Sequence, residues 1–161
     1  MAGGTGRHSV VIARCGPLRI GVPVHVIRKV VAAPLPVPLP DAPASVAGLV
    51  NLHGSPLPVL DLARRGASAR DALTLEARIV IVDTARRAYG LLCEGIEGTR
   101  TLSETDWQSM DDLVPGAGYL VAGVAGEDGL IILRDPDTWL SQADGHDLEA
   151  AMACHPREAA S

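Results

Sequence analysis

The apolar residues of this chain arrive in short runs. HSVVIARC, LRIGVPV, AGLVNLHG, PLPVLDL, RIVIVDT, AYGLLCEG and GLIILR are rich in Val, Ile and Leu, and each is cut short by glycine, proline or aspartate. Runs of this kind at roughly 8–12-residue spacing predict an all-β barrel or sandwich. Cys15-Gly16-Pro17 predicts a hairpin turn, and so does His53-Gly54 inside GLVNLHGSPLPVLDL. VHVIRKVVAA reads as one helical turn running into a strand, because its second half is β-branched. PLPVPLPDAP places proline at alternate positions from Pro34 to Pro40, which prevents helix and central strand. It reads as an extended connector lying along a lobe, with a PxxP ligand as the alternative.

The rest of the chain fills in around these strands. ARRGASARDALTLEA is polar and small, the natural loop or lobe boundary. SETDWQSMDDLVPGAG reads as an irregular loop or short helix, and YLVAGVAGEDGLIILR as a hairpin turning at Glu127-Asp128-Gly129. DPDTWLSQ opens a short closing helix with Asp135 as N-cap and Pro136 at the first helical position. DGHDLEAAMACHPREAAS extends or follows that helix and is expected to fray, so residues 1–7 and 145–161 are expected to be flexible tails. Two clusters of about five short strands, joined by the polar loop near residues 63–76, follow from this reading. Each cluster is too small for a good core alone, so the two are expected to pack on each other.

Composition narrows the function. The net charge of -5 and the single lysine, Lys29, argue against phosphate-backbone binding. Aromatic residues make up 2%, too few for a base-stacking platform. Cys15, Cys93 and Cys154 are widely spaced with no CxxC, which points to isolated thiols. No apolar run approaches a membrane span and the N-terminus lacks a signal-like core, so a cytoplasmic protein without direct membrane insertion is expected.

Chemistry is scarce. His53, Ser55 and Asp61 lie close in sequence, but they flank a turn and no GxSxG elbow is present. The five histidines never show HxxxH or HExxH spacing, and GGTGRHS lacks the phosphate-loop pattern. No catalytic residue, cofactor or metal site is expected, and the inventory suits a binding module better than an enzyme.

PVHVIRKVV…PDAPASVAGLVNLHGSPLPVLDL resembles the CheW-like family, the chemotaxis coupling proteins. The family pattern here is a V-x-E-I segment, an N-L-R-G turn and a v-x-P-V-x-D-L strand. This chain supplies Pro43, Gly48, Val50, Asn51, Leu52, Gly54, Pro58, Val59, Asp61 and Leu62. The likeness continues through RIVIVDTARRAYGLLCEGIEG, where Gly90 and Ile96 match and Glu94 replaces the usual Asp, and ends in YLVAGVAGEDGLIILRDPDTWL. It implies one domain over residues 8–141. Within it, two SH3-like five-stranded β-barrel lobes, near 18–76 and 77–133, pack on a shared core, completed by the N-terminal strand and a short C-terminal helix.

The resemblance also implies a non-enzymatic adaptor. Its expected partners are the regulatory domain of a CheA-type histidine kinase and the cytoplasmic tip of a chemoreceptor. An accessory adaptor of a pilus-linked or other non-flagellar pathway is the alternative, and a small ligand-binding barrel or hydrolase the outlier. Ile27, Lys29, Val31, Gly48, Leu49, Asn51 and His53 are the expected partner-binding residues, or the residues that shape that surface. Two of them depart from the family. The arginine of N-L-R-G is His53 here, and the glutamate of V-x-E-I aligns to Lys29. A carboxylate and guanidinium fork is therefore lost. If the two residues still meet, they make a weakly basic spot that suits a more acidic partner; otherwise they point apart into solvent.

Overall fold

The computed structural model describes residues 7–62, 74–103, 107–109, 120–123 and 130–154. Strands β1 (Arg7–Cys15) and β2 (Leu18–Pro23) form a hairpin through Gly16 and Pro17, with Gly16 at φ 60°. A 3-10 turn at Val24–Val26 runs directly into β3 (Ile27–Ala32), the expected helical turn and strand. β4 (Val46–Leu52), β5 (Ser55–Leu60), β6 (Arg78–Asp83) and β7 (Ala88–Cys93) follow, then β8 (Gly95–Ser103), β9 (Trp107–Ser109), β10 (Leu120–Gly123) and β11 (Leu130–Leu133). Helix α1 (Gln142–Cys154) closes the described chain, and no helix among the described residues is long and apolar enough to cross a membrane.

Five strands form one sheet in the order β3-β6-β7-β5-β4, and six form another in the order β8-β1-β2-β11-β10-β9. Only the β5–β7 and β2–β11 pairings are parallel among the described strands. β6 shows why the two sheets belong together. Its side chains alternate between two cores, as the two-residue period of a strand requires. Ile79 and Ile81 join Val50, Leu57, Val59 and Leu92 in a cluster to which Val31 also packs, so all five strands contribute to the interior of a curled sheet. Val80 and Val82 face the other way, into a larger cluster with Ile20 and Val22 of β2, Leu91 and Cys93 of β7, and Trp139 and Leu148 near the C-terminus. Val10, Ile12 and Ile131 make a third, smaller core within the six-stranded sheet. Inside the five-stranded sheet a Cβ on Gly90 would stand 2.6 Å from a methyl of Ile79, so the fill leaves no room for a side chain there.

Sheet membership does not split the chain into the consecutive halves 18–76 and 77–133. The five-stranded sheet takes Ile27 to Cys93, and the six-stranded sheet takes what lies on either side. The chain passes between sheets at the 3-10 turn and at Glu94, whose N–H donates to the Arg14 carbonyl at 2.7 Å. Neither crossing carries a polar gap, whereas the polar segment 63–73, outside the described residues, connects two strands of the same sheet. Trp107–Ser109, expected in a loop or helix, pairs with β10 as a strand. The β10–β11 hairpin forms as expected, its Glu127-Asp128-Gly129 turn lying outside the described residues.

The C-terminal segment departs furthest from expectation. Asp135 does cap, accepting from the Asp137 N–H at 2.9 Å, but the turn it caps is a 3-10 turn at Pro136–Thr138. The longer helix begins after Ser141, whose hydroxyl accepts from the Asp144 N–H at 3.0 Å. Residues 145–154, expected to fray, are helical because Gly145, Leu148 and Ala151 recur every three residues on the buried side, Leu148 and Ala151 against the central core and Gly145 beside Arg86. Leu148 has no exposed surface. Leu148→Ala is therefore expected to lower the unfolding free energy by about 2–4 kcal/mol. A urea melt monitored by far-UV circular dichroism reads this directly; a frayed segment gives no shift of the midpoint.

Candidate protein-interaction site

The β4–β5 hairpin closes on His53 and Gly54, with φ 51° and 87°. Positive φ at both central residues is the type I′ signature, which matches the twist of the flanking strands. Histidine is among the few side chains that tolerate this region, and Gly54 takes the second position without strain. The Asn51 Oδ1 accepts from the Gly54 N–H at 2.7 Å and holds the turn from inside. The imidazole of His53 is thus displayed on a fixed backbone.

Lys29 meets it. The Lys29 Nζ lies 3.0 Å from the His53 Nε2. β3 and β4 are the outer strands of their sheet, so in a flat sheet they would stand about 19 Å apart at the usual strand spacing. A lysine and a histidine can bridge them only because the sheet curls and brings its edges to a seam. An ammonium has no lone pair, so in this contact Lys29 is the donor and the His53 Nε2 the acceptor. The two departures from the family pattern therefore come together rather than pointing apart. Beside them Arg28 pairs with Asp83, its Nε donating at 3.4 Å.

The other five expected residues divide by burial. Leu49 is 2% exposed and belongs to the central core, so it holds the hairpin rather than presenting itself. Ile27 packs on the same core and Val31 on the curled interior, both partly covered. Asn51 is exposed and serves the turn. Gly48, at φ 149°, lies against the proline connector: an added Cβ would fall 2.3 Å from the Val37 carbonyl oxygen. Val37 and Leu49 exchange backbone hydrogen bonds at 2.8 Å each, so residues 34–40 strap the outer edge of β4. Gly48→Ala is expected to pry the strap loose and cost about 2–4 kcal/mol, through strained φ and overpacking together. Amide exchange at Val37 and Leu49 should rise more than at β6, while a substitution without effect would leave all three alike.

Pro56 and Pro58 do not place β5 at an edge. β5 pairs with β4 along its length and also with β7, but only at Val59 and Leu60, beyond the second proline. Missing N–H groups delay the second pairing and do not prevent it. Sequence reasoning also passed over three exposed apolar side chains: Leu35 and Val37 on the strap are 58% and 43% exposed, and Val30 on β3 is 40% exposed. The signal was present in the strap, where Pro36 and Leu39 turn inward and Leu35 and Val37 turn out.

Nothing nucleophilic assembles at the hairpin. Asp61 is 1% exposed beyond the far end of β5, while Ser55 and His53 stand exposed at its start. A strand of that length separates them by roughly 17–20 Å. Among the described residues no three His, Cys, Asp or Glu side chains converge on a point that can hold a metal. A cleft of 470 Å³ opens between the β6–β7 turn and the start of α1, lined in part by Arg86, Tyr89, Asp137 and Gln142. Its polar groups tie these elements together: the Asp137 Oδ1 accepts from the Ala85 N–H at 2.7 Å, and the Thr84 hydroxyl donates to the Arg87 carbonyl at 2.7 Å.

Tyr89 sits at the floor of this cleft, 4% exposed. Burial pushes its phenol above the ordinary 10.0, against the opposing pull of Arg87. The folded state keeps this proton to higher pH than the unfolded chain. Its contribution to stability is complete below the unfolded value and is lost as pH rises through the folded one. The urea midpoint of the native protein should therefore fall more steeply between about pH 9 and 11 than that of Tyr89→Phe. Parallel curves for the two proteins contradict this.

Comparison with known proteins agrees with this geometry. Residues 9–144 match the family described as CheW-like domain. The chemotaxis protein CheW of Rhizobium meliloti (strain 1021) is 30% identical over 109 residues, 67% of this chain and 70% of that protein. Protein FrzA of Myxococcus xanthus is 31% identical over 93 residues, 58% of each chain. The crystal structure of scaffolding protein TtCheW from Thermoanaerobacter tengcongensis shares the fold at a TM-score of 0.70 and 18% identity, covering 86% of this chain and 96% of that one. The two packed SH3-like β lobes and the closing helix are thus those of a known architecture. With its signature hairpin folded at the seam of one lobe and its sequence matched over most of its length, the chain belongs to the CheW-like family of chemotaxis coupling proteins.

Proposed function

We propose that this protein is a non-enzymatic cytoplasmic adaptor that couples chemoreceptor tips to the regulatory domain of a CheA-type histidine kinase, acting through interfaces alone. The carrying observation is that the family's coupling segment and turn fold into one displayed edge. Lys29, Asn51 and His53 stand at the seam of the five-stranded lobe, while Ile27, Val31 and Leu49 anchor the same strands from within. Such an arrangement uses these residues to hold a surface in place, which is what an adaptor requires and a catalyst does not.

The exposed Val30, Leu35 and Val37 supply apolar area on the strands and strap of that lobe. Apolar anchors ringed by polar contacts carry most of the energy of protein interfaces. Affinity for each partner is modest in such a system, and repeated contacts in an array raise it.

Pull-down with a CheA regulatory domain, followed by titration with a receptor-tip hairpin, tests the reading. Binding to at least one is expected at low and moderate salt. Leu35→Asp and Val30→Asp should weaken kinase-domain binding on the order of tenfold while leaving the thermal melt unchanged, since both side chains face solvent. Failure to bind either partner at both salt levels sinks the coupling role.

A further inference from the structure

The seam contact is chemically incomplete. Lys29 carries three N–H donors and gives one to the His53 Nε2, so two remain for a partner. The spot therefore offers donors and positive charge. Among the described residues no carboxylate lies within ion-pair distance of Lys29 or His53, and the nearest cation along the strand, Arg28, is already engaged by Asp83. Among the described residues nothing balances the charge at this contact.

We propose that the Lys29–His53 clasp reads a carboxylate: the partner that docks at this seam presents an Asp or Glu side chain to it. This deepens the coupling role and rests on it. An Asp or Glu supplies only acceptors, so it complements these donors, and its charge complements the ammonium. The ammonium at this contact attracts a carboxylate locally although the chain as a whole carries -5, and such a charge pair fixes register as well as affinity.

The site is also pre-organised. The type I′ turn, with His53 at φ 51° and the Asn51 side chain bonded to Gly54, holds the imidazole before any partner arrives. Lys29, on a strand, is steered by the contact with His53. Little freedom is lost on docking. A guanidinium and carboxylate in these two positions would satisfy each other and leave no such demand; the exchange of both residues turns a self-paired surface into one that asks for a partner's charge.

Titration calorimetry of the full chain against the kinase regulatory domain and the receptor-tip hairpin, at about 50 and 300 mM salt, decides the matter. Lys29→Glu should weaken binding of one partner on the order of tenfold at low salt. Lys29→Met and His53→Asn should weaken the same partner by about threefold and flatten its salt dependence. His53→Asn keeps a residue that accepts positive φ, and circular dichroism melts check that each variant is folded. A partner in which the facing acid is changed to Lys should regain binding to Lys29→Glu.

Equal or tighter binding by Lys29→Glu overturns the inference, as do identical salt slopes for all proteins. If the native chain binds but no variant differs, the carboxylate reading alone falls. If the native chain binds neither partner, the coupling role falls and the inference falls with it.

Discussion

Two neighbouring strands, β6 and β7, are buried on both faces, and the rest of the molecule is arranged around that fact. Ile79 and Ile81 fill one lobe while Val80 and Val82 face the other lobe and the helix. Each such side chain contributes roughly 1.5–3 kcal/mol of burial, but only if apolar partners arrive from both directions. One set arrives when β3, β4 and β5 curl over the first face. The other arrives when β1, β2, Trp139 and Leu148 cover the second. Gly90 is the point where this fill is tightest.

The curl has a consequence at the edges. A five-stranded sheet wrapped round its own side chains brings its first and last strands together, and the two edges must then be managed. β4 is strapped by the proline connector, which bonds to it only at Val37 because most of the other residues there lack an N–H. β3 meets the β4–β5 turn through Lys29 and His53. The surface that a partner would see is thus a by-product of core packing: the side chains that make it are on the outside, and their positions are set from the inside.

That division of labour separates substitutions in such a surface from the packing of the fold. Exchanging a glutamate and an arginine for a lysine and a histidine alters charge and donor count at a half-exposed seam. It leaves Val31, Leu49 and Leu57 in place beneath. Exposed ion pairs contribute at most about 1 kcal/mol, so stability constrains these two positions weakly and recognition is free to change them.

The sequence by itself determined most of the strands, though not Trp107–Ser109, and the Gly16-Pro17 and His53-Gly54 turns, the helical turn before Ile27 and the cap at Asp135, because each depends on neighbours in the chain. It also carried the family resemblance, through residues whose local geometry is specific. It did not determine which strands share a sheet. The crossings at Val24–Val26 and Glu94 have no polar break, and the polar break at 63–73 is internal to one sheet. The sequence anticipated a short C-terminal helix but not that residues 145–154 are ordered in it, where Leu148 and Ala151 suffice only because a core lies ready to receive them. Tertiary structure alone decided that Lys29 and His53 meet: they are 24 residues apart, on outer elements of a sheet, and only its curl closes the distance.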